Sequence, residues 1–367
     1  MRFRSFCRVS RGKFVMRWDI FCQIVDNYGD AGICWRLARS LAVQHHQNIR
    51  LFCDDLHTLK LLMMGSGDIQ GIEVLPWEAS YANTRHGPET PDVVIQAFSC
   101  DLPERYLNYL ILAPQKPILI HLEYLSAEPW VVDFHGKASP QNNGLQKYFF
   151  FPGFQKEVGG LLLDPIPPSR QDMCPKSLSS IWDQSREGAK KISIFSYPGA
   201  PIKQWLTQLN QLDIPVDIFM AFGNAELLNL QKQAWSNLKL ISLPFIPQDD
   251  FDYLLAQCDF NIVRGEDSFV RAQLAGRPFI WNIYPQDDGA HLVKLSAFLD
   301  LYLKEAPPDL SNSVTEAMTG LTSIYGGKPS PTGISMPEHG ARNYLKARLT
   351  AVWRPASSGL SAKATKG

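Results

Sequence analysis

Residues 25–42 read VDNYGDAGICWRLARSLA, and this stretch decides the fold. An apolar run over residues 18–25 leads into it and has the composition of a buried parallel strand. Asn27 and Gly29 then turn the chain. Beyond them Ile33, Cys34, Leu37, Ala38 and Leu41 recur at helical spacing on one face. Asp26 and Asp30 therefore sit in a strand-to-helix turn. In an open α/β sheet such a turn lies at the carboxyl end of the strands, where ligands bind. Turn chemistry offers both acids a plainer use: Asp26–Asn27 suits an Asx-turn, and Asp30 suits a helix N-cap. Two acids flanking a glycine at the mouth of a first strand favour a site.

Working outward, short apolar segments alternate with amphipathic ones. Strands are expected at 49–53, 72–75, 93–97 and 117–122, with helices at 56–64 and 106–112 between them. This alternation predicts βαβ units and a parallel sheet. Residues 126–160 break the pattern. They carry Trp130, His135, Asn142, Asn143 and the aromatic run 148–151, and read as a long functional loop outside the sheet. Pro165, Pro167, Pro168 and Pro175 mark an extended connection over 164–174. A second alternating series follows, with strands at 192–197, 216–222, 238–243, 260–263 and 279–284 and helices near 205, 251–257 and 268–275. Two or three more helices are expected, near 290–299, 313–324 and 341–352. The reading is an α/β chain of two domains, 16–175 and 185–353, with a disordered arm at 1–15 and a disordered tail at 354–367. Two such domains face each other across a cleft between two sets of strand ends, a favoured place for a small ligand.

The chain has 367 residues, comfortable for two domains, and its 45% hydrophobic and 20% charged content is that of a soluble globular protein. Lysine plus arginine and aspartate plus glutamate both number 36, so no basic field exists to hold a nucleic-acid backbone. The seven cysteines form no C-x-x-C pair and read as reduced thiols of a cytoplasmic protein. No apolar run is long enough to span a bilayer, so no membrane partner is expected. The sequence lacks G-x-x-x-x-G-K-[ST], and Gly65–Ser66–Gly67 does not continue as G-x-G-x-x-G, which removes most weight from P-loop and dehydrogenase readings. His45–His46 has no partner at metal-ligand spacing.

A second constellation lies at 261–268, NIVRGEDS. A strand there delivers Arg264, Glu266, Asp267 and Ser268 into a helix N-terminus, where backbone N–H groups and the Ser268 hydroxyl suit a diphosphate. Arg264 adds charge, and the Glu266 carboxylate suits sugar hydroxyls. A capped helix is the competing reading, with Asp267 or Ser268 as N-cap and Arg264 paired to Glu266. Upstream, residues 243–248 read LPFIPQ: Phe245 can stack on a base and Gln248 can read its edge, although apolar aromatics are more often core. Phe195 and Tyr197, at the end of the second domain's first strand, carry the same ambiguity.

VDNYGDAGICWRLARSLA, together with residues 261–299, NIVRGEDSFVRAQLAGRPFIWNIYPQDDGAHLVKLSAFL, resembles the protein-arginine rhamnosyltransferase family, whose members modify translation elongation factor P. The likeness covers residues 18 to about 353. It implies a GT-B glycosyltransferase architecture, two Rossmann-like domains facing across a cleft. It also implies inverting transfer of rhamnose from dTDP-β-L-rhamnose to one arginine of elongation factor P, without a metal or other cofactor. By motif position, Asp30 matches the family's general base and Asp26 a nearby essential acid. Phe245 and Gln248 match the thymine-holding residues. Arg264, Glu266, Asp267 and Ser268 match the donor segment, with Tyr284 in the WxIYPQ stretch and Tyr197 on the donor side. The alternatives are a GT-B enzyme with another donor or acceptor, and a non-catalytic protein that binds a translation factor.

Overall fold

The computed structural model describes residues 15–25, 28–82, 90–163, 173–221 and 229–322. The expected arm at 1–15, apart from residue 15, the tail at 354–367, the helix at 341–352 and the connection at 164–172 lie outside these residues, as does Asp26.

The first strand, β1 (Arg17–Cys22), runs inside a seven-stranded sheet. It stops at Cys22, short of the expected 25, because the chain already turns toward α1 (Gly29–Arg39). Asp19 lies inside this strand with no solvent exposure. Its register partner on β2 (Asn48–Cys53) is Arg50, whose guanidinium forks onto both carboxylate oxygens at 2.7 and 2.6 Å. The Tyr106 hydroxyl also donates to Asp19. An acid inside the sheet is thus tolerated because both its oxygens accept hydrogen bonds and Arg50 supplies the opposite charge. The sheet continues with β3 (Ile72–Pro76), β4 (Val93–Ala97) and β5 (Ile118–Leu122) in the order three, two, one, four, five. Helices α2 (Leu56–Leu62), α3 (Ala79–Ala82) and α4 (Glu104–Leu112) connect or flank the strands. One core packs α1 against the sheet through Ile20, Cys34, Trp35 and Ala38, and another packs α4 on the opposite face through Phe21, Phe52, Val94 and Tyr106.

The stretch 126–160 corrects the sequence expectation. It holds α5 (Val131–Phe134) and two further strands, β6 (Ala138–Pro140) and β7 (Gln146–Phe150). Residues Gln146–Phe150 join β5 in parallel, and β6 closes the edge antiparallel. The aromatic run that looked irregular is rich in residues that suit a half-buried pleated edge.

A helix over Lys176–Trp182, α6, opens the second lobe. Leu178 and Ile181 bury against Phe219 and Ile241, so this lobe's packing begins ahead of residue 185. Its five strands are β8 (Lys190–Ile194), β9 (Val216–Met220), β10 (Leu238–Ser242), β11 (Phe260–Arg264) and β12 (Phe279–Asn282). They are all parallel, in the order β10-β9-β8-β11-β12. Around them lie α7 (Ile202–Leu209), α8 (Gln248–Gln257), α9 (Asp267–Leu274), α10 (Ala290–Tyr302) and α11 (Pro308–Thr322). Trp205, Phe269 and Trp281 anchor this core, with Phe269 and Trp281 stacked at 3.9 Å.

In each lobe the strand order reverses beside the central strand, between β1 and β4 and between β8 and β11. Such reversals open the crevice where ligands sit. The turn after β1 and the turn after β11 both stand at these points. Each lobe also lends residues to the other: Leu125 and Ala127 enter the second lobe's core, and Phe245 packs on the first lobe's. The result is the two-domain GT-B architecture.

Candidate active site

A cleft of about 780 Å³, open solvent at its mouth included, runs between the lobes. Tyr28, Gly29 and Leu62 form its wall in the first lobe. Phe195, Phe245, Gln248, Phe251 and the segment from Arg264 to Ser268 form the opposite wall. The two motifs, far apart in the chain, therefore meet in one place.

In the first lobe, Tyr28 is the residue at the N-cap position of α1 and makes no side-chain cap. Asp30 sits inside the first turn instead, so the N-cap reading of Asp30 is not the one realised. It is 2% exposed, and its Oδ2 accepts the Val25 N–H at 2.9 Å, which ties the turn back on itself. Beneath it lie the buried thiols of Cys22 and Cys34. The hydrogen bond with Cys22 pulls the Cys34 thiol down, but burial, with the nearby Cys100 and Asp30 adding to it, holds it above its ordinary range.

In the second lobe, Gly265 has φ +63° and lets the chain leave β11 and enter α9 within two residues, a backbone state that residues with a Cβ rarely adopt. The first intrahelical bond of α9 runs from the Val270 N–H to the Glu266 carbonyl at 3.0 Å. The N–H groups of the residues before Val270 face the helix end, where an anion is favoured. Arg264 stands beside them. Its guanidinium lies 4.3 Å from the Phe195 ring centre and 4.8 Å from that of Tyr197, and donates to the Ser196 carbonyl at 3.3 Å. Tyr197 meets Tyr284 edge to face at 5.3 Å, so Tyr284 reaches the site through a neighbour, at its exposed rim.

The pairing expected between Arg264 and Glu266 is replaced by others. Glu266 accepts from Lys294 through Oε1 and from the Leu125 N–H of the first lobe, at 2.8 Å, through Oε2. Burial pushes the Glu266 acid up, Lys294 pulls it down, and the Asp30 charge pushes it up again. Ser268 donates its hydroxyl to the Arg264 carbonyl, and Glu266, not Asp267 or Ser268, occupies the N-cap position of α9.

Phe245 reaches across to Tyr28, ring centres 5.2 Å apart. Gln248 donates to Asp267 at 2.8 Å and to the Gly32 carbonyl at 3.1 Å. Sequence reasoning missed the partners of this group. Arg36 binds Asp252 and Asp267 at 2.8 and 2.9 Å, and Arg39 binds Asp249 at 2.9 Å. Burial pushes the Asp252 acid up to about 7, against the attraction of Arg36 and Arg271. Lys294 was missed as well, since one lysine in a helix carries no local signal. At the end of β4, Phe98 and Ser99 hold consecutive φ values of +56° and +62° without being glycine. Such strain gathers at functional sites. Among the described residues, no group of three or more His, Cys, Asp or Glu side chains is arranged to hold a metal ion, and no helix is long and apolar enough to cross a membrane.

A family model described as Elongation-Factor P (EF-P) rhamnosyltransferase EarP matches residues 18–343. The chain is 41% identical over 329 residues to a protein-arginine rhamnosyltransferase of Pseudomonas putida, covering 83% of this chain and 85% of that one. It is 39% identical over 321 residues to the protein-arginine rhamnosyltransferase of Pseudomonas aeruginosa, with 81% and 84% covered. A solved structure described as the structural basis for EarP-mediated arginine glycosylation of translation elongation factor EF-P superposes with a TM-score of 0.56 at 27% identity, over 92% of this chain and 95% of that one. On these likenesses, and on a cleft that joins both motifs, the chain belongs to the EarP family of elongation factor P rhamnosyltransferases.

Proposed function

We propose that this enzyme transfers rhamnose from dTDP-β-L-rhamnose to an arginine side chain of translation elongation factor P, with inversion and without a metal or organic cofactor. One observation carries the reading: Arg264 and the α9 N-terminus share the cleft with Tyr28 and Gly29, the residues directly ahead of the buried Asp30. In this reading the second lobe holds the donor. Phe245 and Gln248 take the thymine, Arg264 and the helix end take the diphosphate, and Ser268, Asp267, Glu266, Tyr197 and Tyr284 frame the sugar side. The first lobe holds the acceptor.

The acceptor guanidinium stays protonated, with a pKa above ~12, and its lone pairs are delocalised. Carboxylates are the right groups to meet it. They grip the planar fork, aim one nitrogen and accept its proton as the new bond forms. Asp30 is assigned that proton and Asp26 the orientation of the guanidinium. The arginine nitrogen bonds to the anomeric carbon while the carbon–oxygen bond to the diphosphate breaks. The proton passes to Asp30 and dTDP leaves toward Arg264. A nucleotide-sugar donor and a translation factor as acceptor place the reaction in the cytoplasm.

The test is the intact mass of elongation factor P after incubation with this enzyme and dTDP-β-L-rhamnose. The expected result is a gain of one deoxyhexose. No gain, with dTDP-rhamnose still bound, overturns the acceptor. No gain and no binding overturns the donor as well.

A further inference from the structure

The two acids that follow Gly265 reach different parts of the first lobe. Glu266 takes the Leu125 N–H, and Asp267 takes Nε of Arg36 at 2.9 Å. The same guanidinium donates through Nη2 to Asp252 at 2.8 Å, and its Nη1 lies 3.9 Å from Asp249. Arg36 is only 1% exposed, and it stands on α1, six residues beyond Asp30. One buried fork thus joins the helix that carries Asp30 to the two helices, α8 and α9, that carry Gln248 and the donor segment.

We propose that Arg36 is a positioning residue for transfer: it holds Asp267 and Asp252 of the second lobe and so fixes the donor segment opposite the Asp30 turn. This inference rests on the rhamnosyl-transfer reading. Arg36 lines no part of the cleft described above, so it acts through Asp267 and the helices. A planar fork with fixed donors sets both distance and angle, which a lysine ammonium does not. Buried charges tolerate little misalignment, because a displaced partner leaves the other desolvated. In-line displacement needs both lobes in register, and an error of about 1 Å can lower the rate about a hundredfold. Arg39 and Asp249 repeat the pairing at the rim, where Asp249 is 45% exposed and solvent screens the attraction.

The experiment compares full-length Arg36→Lys, Arg36→Gln and the rim control Arg39→Gln with the native enzyme. Thermal unfolding reports folding, calorimetry with dTDP reports donor binding, and steady-state transfer to elongation factor P gives kcat and acceptor KM. Small-angle scattering with dTDP present reports lobe separation. For folded Arg36→Lys, dTDP affinity should stay within about threefold. Its kcat should fall about a hundredfold, with acceptor KM unchanged and the lobes further apart. Arg39→Gln should match the native enzyme. Native kcat in folded Arg36→Lys overturns the proposal, as does a loss of dTDP affinity as large as the loss in rate, which makes Arg36 a donor-binding residue. Should Arg36→Gln not fold, Arg36→Lys decides. A native enzyme that transfers nothing overturns the rhamnosyl-transfer reading instead, and scattering then decides the clamp: unchanged lobe separation in Arg36→Lys removes it.

Discussion

Gln248 of the second lobe donates its side-chain amide to the carbonyl of Gly32 in the first lobe, 3.1 Å away. The approach is possible because Gly32 has no side chain. A Cβ there would stand 2.9 Å from the Gln248 nitrogen and 3.5 Å from an Asp267 oxygen. The lobes touch at this glycine, and the contact involves two residues that line the cleft.

Gly32→Ala separates folding from function. Alanine inside α1 gains up to about 1 kcal/mol of helix propensity. The Gln248 amide must move away and loses its bond to the Gly32 carbonyl. The melting temperature should hold or rise slightly. Transfer should fall about tenfold, equivalent to ~1.4 kcal/mol. Unfolding curves and steady-state rates on one preparation check this; an unchanged rate shows that Gln248 finds another position without harm.

Asp30→Asn keeps a carbonyl oxygen for the Val25 N–H, so the turn should survive. It removes the carboxylate proposed as the base. Turnover should drop by about 10²- to 10⁴-fold while dTDP binds as before. Calorimetry alongside single-turnover transfer checks both halves. Normal turnover removes Asp30 from the mechanism.

The Arg264 guanidinium lies over the rings of Phe195 and Tyr197 and donates to the Ser196 carbonyl, so it is held in place before any ligand arrives. A charge-assisted hydrogen bond contributes roughly 1.5–3 kcal/mol. Arg264→Gln should therefore weaken dTDP by about 10- to 100-fold. Arg264→Lys should fall between, since it keeps charge but loses the planar stack. Titration with dTDP and with thymidine separates the diphosphate from the base: thymidine should bind native enzyme and both variants alike.

Asp252 gives a pH dependence with a definite sign. Burial raises its acid from 3.8 to about 7, so the folded protein holds this proton more tightly than the unfolded chain. The stability it contributes is complete below about pH 4 and is lost as pH rises through about 7. Asparagine at 252 cannot titrate. Melting temperatures measured from about pH 4 to about pH 8 should therefore slope downward less in Asp252→Asn than in the native enzyme. Equal slopes assign the dependence to other groups.

Most elements were legible in the chain because buried parallel strands announce themselves as short apolar runs. Val93–Ala97, for example, was read with its observed limits, and it is buried along its whole length. The strand at Gln146–Phe150 was not legible. Half-exposed, and set among glycine, asparagine and histidine, its short aromatic run does not alternate or stand apart as a buried strand does, and only its ladder to β5 makes it a strand. Helix α6 escaped notice for a related reason: seven residues with three serines look like linker until Leu178 and Ile181 find Phe219.

By itself, the sequence determined the two α/β lobes, the strand-to-helix turns and the residue types at each turn, because these depend on local spacing and on the chemistry of single side chains. Asp30, Arg264, Glu266, Asp267 and Ser268 could all be named from it. Only the tertiary structure decided whom they meet. Glu266 pairs with Lys294 and Leu125 and not with Arg264, and Ser268 turns to a carbonyl. Arg36 bonds to carboxylates 216 and 231 positions away. No local pattern encodes such pairs, since an arginine on a helix face looks alike in solvent and in a buried clamp. The difference lies in desolvation, which appears when the second lobe closes over Arg36 and removes the water that would otherwise screen it.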